Sequence, residues 1–169
     1  KVAQGGWTRF LELAPEAADS PFGERTSAGK LFGASGGVME AALRTAYFML
    51  TGQELENPTI EPLRGPGIVR QMRVRIGDKE VGAAVVSGLG NARRLLDELR
   101  AGRNDLQFIE VMSCEGGCIA GGGQPLGSTP ERVRARLDAL YAIDEHASLR
   151  ASHHNPDVAR LYAEYLGAP

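Results

Sequence analysis

The sequence has little cysteine, little net charge and no long apolar run, and each absence excludes a class of protein. Two cysteines in 169 residues, Cys114 and Cys118, are too few for a disulfide framework. The formal net charge is -2, with Lys and Arg spread along the chain, so nothing favours a nucleic acid or an anionic membrane as a partner. No apolar stretch approaches the roughly 20 residues of a membrane span, and the N-terminus lacks the apolar segment of a signal peptide.

Glycine is the residue in excess. The 22 glycines make up about 13% of the chain, against roughly 7% in ordinary proteins. The main groups are Gly33, Gly36 and Gly37, then Gly65 and Gly67, then Gly116, Gly117, Gly121, Gly122 and Gly123. Grouped glycines between periodic segments indicate backbone that turns tightly or approaches another group closely. The length and the 43% of hydrophobic residues fit a single domain over residues 1–169, and because Lys1 stands where Met would begin a new chain, we expect a mature, trimmed or excised one.

The apolar periodicity predicts an α/β fold, with a mixed sheet that includes an antiparallel hairpin and is flanked by helices. The predicted elements are a short helical stretch at 8–13, a helix at 37–50 capped by Ser35 and stopped by Gly52, hairpin strands at 68–76 and 81–86 around a turn at 77–79, a helix at 91–101, a strand at 106–112, and helices at 130–143 and 157–166.

The two cysteines are candidate metal ligands because they lie four residues apart in a loop that glycine allows to fold back on itself. The alternative is that they are free thiols, or an incidental disulfide, and bind nothing. Two thiolates supply only half of a four-coordinate zinc or iron–sulfur site. His153 and His154 would add zinc ligands, although a His pair before Asn155 and Pro156 is more typical of a capped turn.

A second candidate site runs from a loop into a helix N-terminus at residues 33–39, where unpaired N–H groups favour an anion or the edge of a cofactor. The alternative is a tight loop before a packed helix. Glu40, Arg44 and Glu61 are charged, but charges on a helix face are usually solvated and we assign them no role.

Several segments in collinear order resemble the iron-only (FeFe) hydrogenases. Residues 21–23, 27–29 and 31–44 closely resemble the stretch that walls one side of that family's active-site cluster, and residues 109–125 look like its third signature motif. Residues 140–145, 149–156 and 161–167 are similar to the region that follows. The resemblance implies the C-terminal lobe of the catalytic domain of an enzyme that reversibly reduces protons to H2.

The resemblance also implies roles for individual residues around the family's H-cluster, a four-iron cubane joined to a two-iron unit. Cys114 matches a cubane ligand, and Cys118 matches the ligand whose sulfur also bridges to the two-iron unit. Met112 matches a methionine beside that unit, and Phe32 and Gly33 match residues lining its diatomic-ligand pocket. Gly36 and Gly37 belong to the same wall of the cofactor site.

The sequence departs from the family in two respects. Glu115 stands where the family commonly has Pro, which adds charge near the cubane. The first two signature motifs, which carry the other two cubane cysteines and the proton-donating cysteine, do not occur in these 169 residues, nor do accessory ferredoxin-like clusters. We therefore expect half a catalytic site, with no H-cluster and no turnover in the isolated chain.

The implied partners are the N-terminal lobe of the same catalytic domain and an electron donor such as ferredoxin or an NAD(P)-linked subunit. The expected compartment is the cytoplasm, with the periplasm as the alternative. Two other functions stay open. One is a hydrogenase-like iron–sulfur sensor or assembly protein without metabolic hydrogenase activity, and the other is a structural module with a redox-active Cys114–Cys118 pair.

Overall fold

The computed structural model describes residues 14–19, 23–65 and 67–167. The predicted helical stretch at 8–13, and Pro21 and Phe22 of the first matching segment, lie outside these ranges. The helices are α1 (Ser27–Leu31), α2 (Gly37–Thr51), α3 (Leu89–Arg100), α4 (Pro130–Glu145) and α5 (Pro156–Leu161), and the strands are β1 (Val69–Ile76), β2 (Lys79–Ser87) and β3 (Phe108–Met112). Short 3-10 turns lie at Glu61–Leu63, Cys118–Ala120 and Ser152–His154, and a π-helical turn at Tyr162–Leu166.

The three strands form one mixed sheet in the order β1-β2-β3, which confirms the predicted fold class. β1 pairs with β2 antiparallel, and Ile76 faces Lys79 across a two-residue turn of Gly77 and Asp78. β3 pairs with β2 in parallel, with Ala83 beside Phe108 and Ser87 beside Met112. A parallel neighbour requires a crossover, and α3 supplies it.

Helices cover both faces of the sheet, so the central strand β2 is buried on both sides from residue 82 to residue 87. Ala83 and Val85 face α2, where they pack with Met39 and Leu43. Ala84 and Val86 point the other way. On that second face they pack with Ala92 and Leu95 of α3. The nearly continuous apolar sequence of this strand at residues 81–86 is explained by burial on both faces.

The start of α2 corrects the predicted cap. The N-cap is Gly36, in the left-handed region at φ 96°, and not Ser35. A side chain at Gly36 would bring its Cβ to 2.3 Å from the carbonyl oxygen of Leu63. The buried hydroxyl of Ser35 instead pairs with that of Ser87, at 2.9 Å. The predicted stop at Gly52 is confirmed, since this residue caps the helix in the left-handed region.

Three smaller differences concern where elements begin and end. α3 begins at Leu89, two residues before the prediction, and α4 extends to Glu145 after Thr129 caps its first turn. The last predicted helix is divided into α5 and the π-helical turn at Tyr162–Leu166. Among the described residues, no helix is long and apolar enough to cross a membrane.

Candidate functional site

The two glycine-rich segments singled out in the sequence lie against each other. The amide of Ser35 donates to the carbonyl oxygen of Gly116 at 3.1 Å, and the amide of Ile119 donates to that of Gly33 at 3.1 Å. The first segment enters α2 and the second leaves β3, so the sheet and helix fix both ends of the junction. The structure therefore brings together two candidate sites that are about 80 residues apart in the sequence.

Gly117 makes this close approach possible. Its backbone is at φ 92° and ψ -161°, a conformation that is essentially restricted to glycine. A Cβ at this position would lie 2.7 Å from the amide nitrogen of Ser35 and 2.8 Å from the carbonyl oxygen of Gly33. The loop can therefore pack on its neighbour only because this side chain is absent.

Cys114 and Cys118 are both exposed free thiols on this loop. Cys114 follows the end of β3, and its carbonyl oxygen accepts from the amide of Gly117 at 3.1 Å, which folds the chain back. Cys118 begins the 3-10 turn that follows. Gly121 lies close by, since a Cβ built on it would be 3.1 Å from the Cys114 sulfur. The arrangement offers two thiolate donors with bare backbone beside them.

The proposed zinc alternative, in which the His pair joins the cysteines, does not occur in the structure. Among the residues that the structure describes, neither cysteine belongs to a group of three His, Cys, Asp or Glu ligand atoms within 4.8 Å of one another. His153 and His154 instead lie beside Glu54. They form the 3-10 turn that precedes α5, whose N-cap is Asn155, as expected for a capped turn.

The other residues predicted to contact the cofactor differ in how exposed they are. Phe32 is 47% exposed and Met112 is half-buried at the end of β3. Gly33 is half-buried, and a Cβ on it would meet the Leu140 side chain at 3.3 Å. Gly37 is buried against α1, where a Cβ would lie 1.8 Å from the carbonyl oxygen of Leu31. Phe32 is thus exposed and Met112 partly so, whereas Gly37 is a packing position.

The anion expected at the start of α2 is supplied by the protein itself. The buried carboxylate of Glu110, on β3, accepts from the amide of Gly36 at 2.6 Å and from that of Met39 at 2.7 Å. A carboxylate at a helix N-terminus pairs the free N–H groups and complements the helix dipole. The prediction that these amides serve an external anion is therefore wrong for these two donors, because Glu110 occupies them.

The expectation that Glu40 and Arg44 are solvated is also wrong. Their side chains are only 1% and 2% exposed, and Arg44 bridges Glu40 at 2.6 Å and Asp144 at 2.7 Å. Arg64 contacts the same two carboxylates at 2.7 and 2.8 Å, and Arg150 contacts Asp144 at 2.8 Å. Three arginines and two acids thus form a buried network, which we call the Asp144 network. Glu61, by contrast, is exposed, as expected.

The Asp144 carboxylate is held ionised by its neighbours. Burial acts to raise the pKa of Asp144, but hydrogen bonds from Arg44, Arg150 and Ser27 outweigh it and lower the pKa below its usual range. The Ser27 hydroxyl donates to this carboxylate at 2.6 Å. Burial acts to lower the pKa of Arg44, but its hydrogen bond to Asp144 and the charge of Glu40 outweigh this and raise the pKa. Asp144 and Arg44 therefore stay charged together in the folded protein.

A cleft of about 490 Å³ opens beside the junction of the two loops. Its lining includes Ser35, Arg70 and the exposed Glu115. Arg70 donates to the carbonyl oxygen of Ser35 at 2.6 Å and also to that of Gly65. Burial lowers the pKa of Arg70, although Tyr141 and Glu110 act against this shift. The cleft places the Arg70 guanidinium beside the cysteine loop, in a lining that also contains Glu115 and apolar side chains.

Two family models match the chain. The model described as "Iron only hydrogenase large subunit, C-terminal domain" matches residues 7–122, and the one described as "Iron hydrogenase small subunit" matches residues 130–169. The first match alone covers more than half of the sequence, including both cysteines.

Similar proteins include hydrogenases and iron–sulfur assembly factors. The NADP-reducing hydrogenase subunit HndD of Solidesulfovibrio fructosivorans is 46% identical over 95% of this chain and 27% of its own length. Iron hydrogenase 1 of Clostridium pasteurianum is 38% identical over 95% of this chain and 29% of its own length. The cytosolic iron-sulfur assembly component 3 of Mus musculus is 32% identical over 79% of this chain and 28% of its own length.

Solved structures show the same likeness. The apo [FeFe]-hydrogenase HydA1 from Chlamydomonas reinhardtii superposes with a TM-score of 0.66 at 34% identity, over 94% of this chain and 46% of that one. The chain thus spans under a third of the length of the relatives described above, and about half of this solved structure.

Proposed function

Because this chain belongs to the iron-only hydrogenase family, we propose that it is the C-terminal lobe of a hydrogenase catalytic domain that reversibly reduces protons to H2 at an H-cluster. The observation that carries the proposal is the junction of residues 33–37 with the loop that presents two free thiols. The matches to hydrogenases over 95% of the chain support it.

Cys114 and Cys118 would hold one side of the H-cluster, as two of the four cysteine ligands of its cubane. The donor set fits this role in type, since exposed thiols on a glycine loop are suited to iron–sulfur ligation. The number of donors is only half of what a cubane needs, because a cubane takes four protein thiolates and the sequence has two cysteines. The other two ligands would come from the N-terminal lobe of the same catalytic domain.

The residues around the thiols would shape the site. When bound, the H-cluster supplies the redox chemistry, while the protein binds, orients and shields. Phe32 and Met112 would exclude water with apolar surface, and Gly33 would let the backbone approach closely. Gly36 and Gly37 would act indirectly, by setting the position of the wall that carries Phe32.

An electron donor is the second partner that we propose, either a ferredoxin or an NAD(P)-linked subunit. The support is the name of the HndD relative, an NADP-reducing hydrogenase subunit. A cytoplasmic location stays a prediction, and one relative, from Nitratidesulfovibrio vulgaris, is named a periplasmic [Fe] hydrogenase large subunit.

The test is a chimera in which this chain replaces the matching stretch of HndD, produced anaerobically with the maturation enzymes that build the H-cluster. We expect hydrogen evolution with reduced viologen, and its loss in the Cys114→Ser and Cys118→Ser chimeras. Ser113→Ala is the matched control, because Ser113 is an exposed neighbour of the same loop. Hydrogen evolution that persists without Cys118 would contradict the assigned ligand role.

A second function is favoured by a separate observation, the 32% identity to a cytosolic iron-sulfur assembly component. In that case the lobe would hold an iron–sulfur cluster without turning over hydrogen. The chimera distinguishes the two functions: a chimera that binds iron through Cys114 and Cys118 but evolves no hydrogen supports assembly or sensing over catalysis.

We also propose that the isolated 169 residues form one unit that carries no H-cluster and has no turnover. The Asp144 network, which joins residues 27–64 to residues 144–150, supports a single unit. Anaerobic reconstitution with iron and sulfide should leave the chain without hydrogen evolution, and thiol titration should count two free cysteines. Hydrogen evolution by the reconstituted chain would refute this.

A further inference from the structure

We propose that Glu54, His153 and His154 form a binding site for a divalent first-row metal ion such as Zn²⁺, separate from the cysteine loop. One ligand atom from each residue lies within 4.8 Å of the other two. The Glu54 Oε1 atom is 3.2 Å from the His153 Nε2 atom and 2.8 Å from the His154 Nε2 atom. Two imidazoles and a carboxylate are a ligand set that zinc sites use with water in the fourth position.

Two of the three ligand separations fit a metal with little rearrangement, and the third, between the two imidazole nitrogens, is within 4.8 Å. Ligands bound at about 2.0–2.1 Å in a tetrahedron lie roughly 3.3 Å apart. The His153–Glu54 contact already has nearly this length, and the His154–Glu54 contact needs an increase of about half an ångström. The alternative interpretation is a carboxylate that only hydrogen-bonds His153 and contacts His154, and a zinc titration separates the two.

The His153 ring is fixed by a hydrogen bond and by stacking, as the rings of metal-binding histidines usually are. Its Nδ1 atom lies 3.2 Å from the Thr45 hydroxyl, and its ring stacks on Phe48 at 4.4 Å with an interplanar angle of 4°. If Nδ1–H donates to Thr45, the lone pair of Nε2 points toward Glu54, and such an outer hydrogen bond is what fixes the tautomer of metal-binding histidines. The side chain is 9% exposed, so its orientation is set by packing.

The other two ligands leave the site open to water. Glu54 and His154 are each 49% exposed, so a metal ion can enter and keep a solvent molecule as its fourth ligand. His154 also packs edge-on against His153, with ring centroids 4.4 Å apart. Imidazole and carboxylate together suit zinc and its neighbours in the first row better than magnesium or calcium.

Because of the position of this site, a bound metal ion would connect two distant parts of the sequence and so stabilise the fold. Glu54 belongs to the region matched by the large-subunit model, and His153 and His154 belong to the region matched by the small-subunit model. A metal ion would therefore link two parts of the chain that are 99 residues apart. Such a metal ion stabilises the folded state because it binds the folded chain and not the unfolded one.

The test is a Zn²⁺ titration of the 169-residue chain in competition with a chromophoric chelator, in a Cys114→Ser, Cys118→Ser background that removes the thiols. We expect one zinc ion per chain with a Kd below about 1 µM. Glu54→Gln and His154→Asn should each weaken binding at least tenfold. Glu56→Gln and His146→Asn are the matched controls, because both residues are exposed and lie outside the cluster, and they should bind zinc as the background does.

Two further readouts make the result specific. X-ray absorption of the zinc-loaded chain should show only N and O ligands, including two imidazoles, and a hundredfold excess of Zn²⁺ over Kd should raise the Tm by about 5–10 °C. His154→Asn should abolish the rise in Tm, while its circular dichroism stays that of the background. The proposal is overturned if the background chain binds no zinc in this range, or if Glu54→Gln and His154→Asn bind it as tightly as their controls.

Discussion

Asp144 is the residue on which most of the buried charge depends. It has no exposed surface, and its two oxygens accept from Arg44, Arg64, Arg150 and Ser27. Asp144→Asn removes the charge but keeps the size, and so leaves Arg44 and Arg64 to share Glu40 alone and Arg150 without the acid it contacts. Since the loss of one partner of a buried pair costs about 3–5 kcal/mol, we expect a decrease of that size in the free energy of unfolding, measured in urea.

The control for this change is Asp138→Asn. Asp138 also pairs with an arginine, Arg134, at 3.1 Å, but both side chains are 59% exposed. Exposed pairs contribute about 0–1 kcal/mol, so this variant should unfold almost as the parent does. Equal losses in the two variants would mean that burial of the Asp144 network adds nothing to its contribution.

The pH dependence of stability follows from the low pKa of Asp144. In the unfolded chain this carboxyl titrates near pH 3.9, whereas in the folded chain its pKa is lower, so the unfolded state takes up the proton first as pH falls. The stability due to Asp144 is therefore fully present above the unfolded pKa and decreases below it, until pH reaches the folded pKa. We expect the difference in unfolding free energy between the parent and Asp144→Asn to be constant from pH 7 to pH 5 and clearly smaller at pH 3. A difference that stays unchanged at pH 3 would contradict the lowered pKa.

At the scale of the structural elements, the contact between the two glycine-rich loops depends on one residue, Gly117. Gly117→Ala would place a methyl group 2.7 Å from the backbone of Ser35 in a conformation that alanine avoids. Strain and overpacking together should cost about 2–4 kcal/mol and move the loops apart, which amide hydrogen exchange at Ser35 and Ile119 would detect.

Gly122→Ala provides the comparison within the same loop, because a Cβ there meets nothing within 4 Å. It should change neither the stability nor the exchange rates at the junction. If both glycine variants behave alike, the loss comes from loop flexibility and not from the close approach of the two segments.

The elements that the sequence predicted well are those whose signal is local. The period of α2, the alternation in β1 and the turn at Gly77 need only neighbouring residues to be recognised, and the structure has all three. The cap of α2 was misplaced by one residue because the contact that excludes a side chain at Gly36 is with the carbonyl of Leu63, far along the chain. The parallel pairing of β3 likewise depends on a tertiary contact.

The same difference between local and long-range signals applies to the candidate site. The two glycine-rich segments were found from composition and resemblance, but their hydrogen-bonded contact was not, because it joins residues 33–35 to residues 116–119. Glu110 was missed as the ligand of the α2 amides, since an acid in an apolar strand gives no sign of its partner. That acid inside an otherwise apolar strand was nevertheless an available signal, because a buried charge requires a partner.

On the scale of the whole molecule, an exposed loop separates the two stretches that the family models match, which we call the two parts of the chain. The family models end at residue 122 and begin again at residue 130, and Leu126 between them is 97% exposed. The parts are held together elsewhere, by the Asp144 network and by an apolar cluster of Ala34, Ile119 and Leu137. We therefore expect these buried contacts, and not the covalent connection, to keep α4 in place.

Cutting that loop should leave the molecule assembled. We expect that a chain with a protease recognition sequence in place of residues 123–127 still elutes as one species on gel filtration after cleavage, because the buried contacts between the parts are unchanged. The same cut in the Asp144→Asn chain should release the smaller part, since the loss of about 3–5 kcal/mol reduces the affinity between the parts by at least a hundredfold. If the cleaved parent separates under conditions where the uncut chain is folded, the connection at residues 123–127, and not the buried network, holds the two parts together.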